Sequence, residues 1–193
     1  RSNTEEERLL GVSLTGIMDC AILHRPDSDK TLKLLKDTVI ATNKKWSKLL
    51  GIPQSTATTC VKPSGTVSQL TDSASGIHAR HAPYYVRTVR GDVKDSLTQF
   101  LMNQNIPNEP DFNSPSNTVV FSFPFKSPDA AICRTDIKAL EQLHTWKRFS
   151  DHWCEHKPSV TVSVKEHEWI EVGNWCYKNF DSLSGISFLP FSD

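Results

Sequence analysis

The chain has 193 residues, and its 22 Lys plus Arg balance 22 Asp plus Glu, so the formal net charge is zero. That balance excludes a protein held mainly on nucleic-acid phosphates or on an anionic membrane surface, since either needs a basic excess. Hydrophobic residues at 37% and charged residues at 23% exclude wholesale disorder, and no apolar run reaches the roughly 18 residues of a membrane span.

The chain opens on Arg1, and its only methionines are Met18 and Met102. Arg1 to Arg8 is charged and lacks the apolar core of a signal peptide. This start reads as a piece of a longer chain. Asp27 to Leu50 is the clearest helix, with Leu32, Leu35, Val39, Trp46 and Leu49 as its apolar stripe. Asp27 or Ser28 suits its start, and Gly51 with Pro53 its end. Thr56 to Lys62 reads as a short strand that runs into Pro63-Ser64-Gly65, and Tyr84 to Arg90 as a second strand. Asp92 to Asn103 reads as a helix with Val93, Leu97, Phe100 and Leu101 on one face. After a loop with Pro107, Pro110 and Pro115, Thr118 to Phe123 is apolar enough for a strand covered on both faces.

Asp136 to His156 reads as a long helix burying Ile137, Leu140, Leu143, Trp146, Phe149 and Trp153, and Pro158 stops it. Val160 to Val164 is a strand, Glu166 to Phe180 a helix, and Ile186 to Leu189 a final strand. The alternation predicts an α/β fold with a mostly parallel sheet and helical crossovers, in one domain without a linker. The last strand stops at Pro190-Phe191-Ser192-Asp193 and leaves a sheet edge, so this end also reads as cut. Cys20, Cys60, Cys133, Cys154 and Cys176 are odd in number, widely spaced and without CxxC. They argue for a reducing cytosol over a disulfide framework.

Thr58 to Ser68 carries the most chemical meaning: a strand, a glycine-containing turn, then a helix start. The first amides of a helix lack internal partners and sit at the positive end of its dipole. Ser and Thr hydroxyls beside a glycine let a phosphate approach them, and Lys62 can add charge. The same residues also suit a plain helix start capped by Ser64. The spacing is neither GxxxxGK nor GxGxxG, so both readings stand. In Ser75 to His81, Gly76 suits a positive φ, and His78, Arg80 and His81 can face an anion or line a solvated loop.

His152, Cys154 and His156 form at best half of a zinc set; cationic groups at a helix end account for them as well. Cys60 is the thiol nearest the turn, although buried inert cysteine is the commoner outcome. Trp46, Trp146, Trp153, Trp169 and Trp175 read as packing, not as a stacking platform for bases.

Several blocks, in order, resemble the adenosylcobalamin-dependent (class II) ribonucleotide reductases, in their monomeric ribonucleoside-triphosphate reductase form. They are Gly11 to Gly16, Val61 to Ser68 with Ser75 to His78, Tyr84 to Arg87, Trp153 to Val162 and Gly185 to Pro190. The resemblance implies the C-terminal portion of a ten-stranded β/α barrel, with residues 1–193 a partial catalytic barrel domain truncated at both ends. It implies reduction of the ribonucleotide 2′-carbon by a cysteine thiyl radical generated from adenosylcobalamin. It implies a ribonucleoside triphosphate substrate, a thioredoxin-like reductant and, in the full-length chain, a nucleotide effector; the charge balance and the cysteines add the expectations of no nucleic-acid or membrane partner and of a cytoplasmic setting, and no metal-ion site is assigned. The family's substrate-phosphate loop falls on Ser64, Gly65, Thr66, Val67 and Ser68.

The family's finger-loop Asn-x-Cys-x-Glu is absent, and the five cysteines match none of its redox positions. No catalytic residue is therefore assigned, and the isolated chain is expected to show no turnover. The rival reading is a stand-alone, non-catalytic α/β phosphate- or nucleotide-binding module.

Overall fold

Helices and strands alternate as the periodicity predicts, in a computed structural model that describes residues 1–25 and 27–192, with backbone alone for Thr66, Gln69 and Leu70. The order is α1 (Ser2–Glu7), β1 (Val12–Ser13), α2 (Ser28–Leu50), β2 (Thr59–Cys60), α3 (Gly65–Leu70), β3 (Tyr84–Asp92), α4 (Ser96–Asn103), β4 (Asn108–Pro110), β5 (Thr118–Lys126), α5 (Ala139–His152), β6 (Val160–Val164), α6 (Trp169–Lys178) and β7 (Ile186–Pro190). The chain divides into two compact units, Arg1–Arg80 with Ala130–Asp193, and His81–Asp129. No helix among the described residues is long and apolar enough to cross a membrane.

In the first unit the strands are parallel. β1 pairs with β2, Val12 opposite Thr59 and Ser13 opposite Cys60. β6 pairs with β7 from Val160 opposite Ile186 to Val164 opposite Pro190. Along β6 the valines 160, 162 and 164 are buried while Thr161 and Ser163 are half-exposed, the period of two that sorts a strand's faces. The valines share a core with Leu143, Trp146 and Phe149 of α5 and with Val172 and Trp175 of α6. Trp146 donates to the Pro158 carbonyl at 3.3 Å and Trp153 to the Cys60 carbonyl at 2.7 Å, so each buried indole satisfies its N–H. Truncating either to Ala costs about 3–5 kcal/mol by analogy with other buried aromatics.

The second unit departs from the mostly parallel expectation. It is an antiparallel sheet in the order β3-β5-β4, with Tyr84 opposite Lys126 and Asn108 opposite Phe121. Val119, Val120 and Phe121 of the central strand β5 are buried in succession, so side chains on both of its faces are covered there; an apolar run reveals burial on both faces but not strand direction.

Several boundaries also differ from the reading of the sequence. The strand expected from Thr56 to Lys62 is ladder-paired only at Thr59–Cys60. α4 starts at Ser96, because the Asp95 carboxylate accepts the Thr98 amide and caps it; Leu97 and Phe100 are exposed and Thr98 is the buried contact. α5 runs from Ala139 to His152, shorter at both ends. At its start, carboxylates of Glu141 and Glu168 accept the Lys138 and Ala139 amides. At its end, the amides of Glu155 and His156 leave the helix for the Thr59 carbonyl, at 2.8 and 3.1 Å. The helix expected over Glu166–Phe180 is a 3-10 turn at Glu166–Glu168 followed by α6. On α2, Leu32 is fully buried, but Leu35, Trp46 and Leu49 are exposed. The tryptophans therefore divide: 146, 153 and 175 are packed, while Trp46 and Trp169 are partly exposed, at 53% and 40%.

Candidate functional site

β2 leads through Val61-Lys62-Pro63 into the turn that opens α3. Gly65 has φ +46, a left-handed value that a side chain would strain, although open space surrounds its missing Cβ. The amides of Ser64 and Gly65 converge on one oxygen, Ser75 Oγ, each at 3.2 Å. Among the described residues the Ser64 hydroxyl makes no bond to a helix amide. That hydroxyl meets Thr15 Oγ1 at 2.8 Å and Ser75 Oγ at 3.4 Å. Ser68 is fully buried and donates to the Gly65 carbonyl at 2.9 Å. Val67 is 66% exposed beside the turn, and the Thr66 side chain lies outside the described residues. Lys62 Nζ donates to the Lys157 carbonyl at 2.7 Å, so its charge is tethered.

The segment after α3 braces this turn. Thr15 Oγ1 donates to the Ala74 carbonyl and accepts the Gly76 amide at 2.9 Å. Gly76 has φ +54, and a Cβ there would lie 2.8 Å from the Lys62 carbonyl; only glycine lets these two backbones approach. His78 Nε2 faces the Thr161 amide at 3.0 Å, and Nδ1 faces the Ser75 carbonyl at 3.0 Å. An amide only donates and a carbonyl only accepts, so the ring carries its proton on Nδ1. Arg80 is not available to an anion: its side chain is 3% exposed and engages Asp19 and Asp72. His81 belongs to the other unit and meets Tyr85 edge-on.

Glu155 is the residue that sequence reasoning missed. Its Oε2 accepts from the Thr58 amide (2.9 Å), the Thr58 hydroxyl (2.7 Å), the Thr59 amide (3.1 Å) and the Thr59 hydroxyl (3.3 Å). Burial, the largest single influence, works against ionisation, yet these bonds together outweigh it and hold the carboxyl below its ordinary value. The carboxylate thereby fixes the strand that carries the turn. Only its place between Cys154 and His156 in a quoted block hinted at a role.

The weak zinc set does not form. α5 ends at His152, whose Nε2 lies 3.6 Å from Asp29, whereas His156 Nε2 faces the carbonyls of Leu10 and Ala57. No group of three or more potential ligands occurs among the described residues. Cys60 is buried, and burial, reinforced by Cys60 nearby, pushes the Cys154 thiol up to about 12.

Among the described residues of the first unit, two hollows stand out. One, of about 360 Å³, is bordered by Pro63, His78, Ser159, Thr161, Ser184 and Ser187. The other is a mostly apolar groove of about 540 Å³ along α2, reaching Trp46 and Leu50 and away from the turn.

This fold is that of the B12-dependent reductases. The chain superposes on the crystal structure of a B12-dependent (class II) ribonucleotide reductase with a TM-score of 0.85, at 23% identity, covering 100% of this chain and 31% of that one. No family model matches the chain. Its relatives in sequence are more particular. It is 25% identical to the adenosylcobalamin-dependent ribonucleoside-triphosphate reductase of Lactobacillus helveticus, over 99% of this chain and 30% of that protein. The Levilactobacillus brevis enzyme of the same name is 25% identical over the whole chain. A probable enzyme of this type from Dictyostelium discoideum is 32% identical over 78% of the chain. The resemblance carried by the sequence blocks is thus shown, and the chain spans less than a third of the length of these relatives.

Proposed function

We propose that the chain is part of an adenosylcobalamin-dependent ribonucleotide reductase, residues 1–193 forming the C-terminal portion of its ten-stranded barrel. Its own contribution is to hold the substrate's polyphosphate at Ser64, Gly65, Thr66, Val67 and Ser68. The observation that carries this reading is the convergence of the Ser64 and Gly65 amides on a single oxygen at a positive-φ glycine that begins a helix. At 3.2 Å these are long bonds to a neutral hydroxyl, and an anionic phosphate oxygen is a stronger acceptor for the same pair.

The full reductase exchanges the 2′-hydroxyl of a ribonucleoside triphosphate for hydrogen by thiyl-radical chemistry. It draws electrons from a thioredoxin-like reductant, answers to a nucleotide effector and works in the cytoplasm. Adenosylcobalamin supplies the radical when bound. No side chain of this chain is assigned to that cofactor; His78, which is bonded to the turn-bracing Ser75, has both nitrogens engaged. None of the five thiols is assigned to the radical step; Cys60, Cys133 and Cys154 are buried.

The test is calorimetric titration of the chain with inorganic tripolyphosphate. Gly65→Val, which forces a β-branched residue into φ +46, is expected to weaken binding at least tenfold while circular dichroism stays native. Equal affinities of a folded variant and the wild type would overturn the assignment.

A further inference from the structure

The two edges of the antiparallel sheet β3-β5-β4 differ in their readiness to pair. The Ser127 amide donates to the Pro83 carbonyl at 2.8 Å and the Val93 amide to the Asn117 carbonyl at 2.9 Å. Hydrogen-bonded and non-hydrogen-bonded pairs alternate along an antiparallel ladder. With Tyr84 opposite Lys126, the odd positions of β3 therefore bond to β5. The amides and carbonyls of Tyr84, Val86, Thr88 and Arg90 face outwards and make no hydrogen bond among the described residues. Their side chains are exposed, Tyr84 at 71% and Val86 at 63%. The far edge is guarded. The Asp111 amide donates to the Thr118 carbonyl and the Ser122 amide to the Pro107 carbonyl. Pro110 thus faces outwards on β4, and Pro124 faces the stretch of β5 that β4 leaves uncovered. A proline offers no N–H to an incoming strand. β3 holds no proline from Tyr84 to Asp92.

We infer that β3 pairs antiparallel with β3 of a second copy of the chain, joining two three-stranded sheets into one. The inference stands apart from the phosphate reading, since β3 belongs to the other unit. An open edge is a template for strand addition, with main-chain bonds supplying the attraction. A two-fold axis at Thr88 pairs the outward groups of both copies. Thr88 then faces its own copy, Val86 the partner's Arg90, and Tyr84 the partner's Asp92. Asp111 holds the Arg90 head at 2.8 Å, which leaves the arginine stem as apolar surface for Val86. Charge fits at both ends of the pairing. Lys126 lies beside Tyr84 on the same sheet face, so a phenol and an ammonium face the partner's Asp92 carboxylate. Both outer edges of the joined sheet carry Pro110 and Pro124, so association closes at two copies and does not run on into a filament.

The odd positions give this register a signature. Across the same axis Arg87 comes opposite the partner's Val89, in the type of pair with the closer side chains. Arg87 has no ion-pair partner among the described residues. A glutamate at position 89 therefore faces a free guanidinium twice in each dimer, and a lysine there faces it with like charge.

Sedimentation equilibrium of the chain, from low micromolar to near millimolar concentration, is the test. The expected result is a reversible monomer–dimer equilibrium without larger species. Val86→Pro and Thr88→Pro each remove an outward amide and leave the bonds to β5 intact. Each is expected to weaken the dimer at least tenfold while circular dichroism stays native. Val89→Glu is expected to dimerise about tenfold more tightly than Val89→Lys, from two symmetric cross-strand pairs that switch between attraction and repulsion. Val89 is exposed, so both charges are compatible with folding, and this comparison decides the matter even where a proline variant unfolds. A chain that stays monomeric throughout would overturn the inference. So would a dimer that survives both folded proline variants, equal dimerisation of the Glu and Lys variants, or growth beyond two copies.

Discussion

Arg80 grips Asp19 side-on, with Nε 3.0 Å from Oδ1 and Nη2 2.8 Å from Oδ2. The guanidinium is 3% exposed and also reaches the Asp72 carboxylate and carbonyl, while Asp19 accepts the Ala74 amide at 2.7 Å. One buried cation thus ties the 3-10 turn at Ile17–Asp19 to the loop that presents Ser75, Gly76 and His78. Arg80→Ala is expected to destabilise the chain by about 3–5 kcal/mol in urea unfolding, since it leaves the partly buried Asp19 charge uncompensated. Arg80→Lys is expected to recover only part, because an ammonium cannot bridge both carboxylate oxygens in a fork. A loss below about 1 kcal/mol for the alanine variant, the level of an exposed pair, would show that the clamp is dispensable.

The turn and its glycine were legible because they are local: strand, Pro-Ser-Gly and helix start follow one another within a few residues. β6 was legible too, bounds included, since five residues of period two suffice. What braces the turn was not. Ser75 lies 11 residues from Ser64, Thr15 49 residues away, and Glu155 97 residues from Thr58. No periodicity encodes which distant oxygen accepts which amide. The antiparallel direction of β3 and β5 was hidden for a related reason, since the hydrophobic pattern reports faces and not partners. The exposed half of the α2 stripe, Trp46 and Leu49, shows the converse. Helical spacing announces an apolar face but not what lies against it.

Glu155 makes acid stability a direct readout of the strand that carries the turn. Its carboxyl is lowered in the folded chain, so its contribution is fully present above the ordinary glutamate value of about 4.5. It is lost as pH falls through the lower folded value. Glu155→Gln removes the charge and turns one acceptor edge into a donor facing the Thr58 and Thr59 amides. The variant is expected to be less stable than wild type by about 1–2 kcal/mol at neutral pH, with the gap closing below pH 4. A gap independent of pH between 7 and 3 would mean that the charge plays no part in holding β2.

Cys154 provides the opposite sign at the alkaline end. Burial is the main cause of its raised pKa, Cys60 adds to it, and the Val61 amide opposes it. The thiol ionises near 9 when unfolded and at about 12 when folded, so its contribution is unchanged below pH 9 and is lost as pH rises from 9 towards 12. Two measurements follow from one cause. At pH 8 iodoacetamide is expected to leave Cys154 unmodified in the native chain and to label it in denaturant, because the thiolate is the nucleophile and burial suppresses it. Half-buried Cys20 is expected to react earlier. In stability profiles, Cys154→Ala should cost about 1 kcal/mol near neutrality through lost packing, and that deficit should shrink as pH climbs above 9. Prompt native labelling of Cys154, or a deficit that widens with pH, would mean that the site is open to water and that its thiol is ionised in the folded chain.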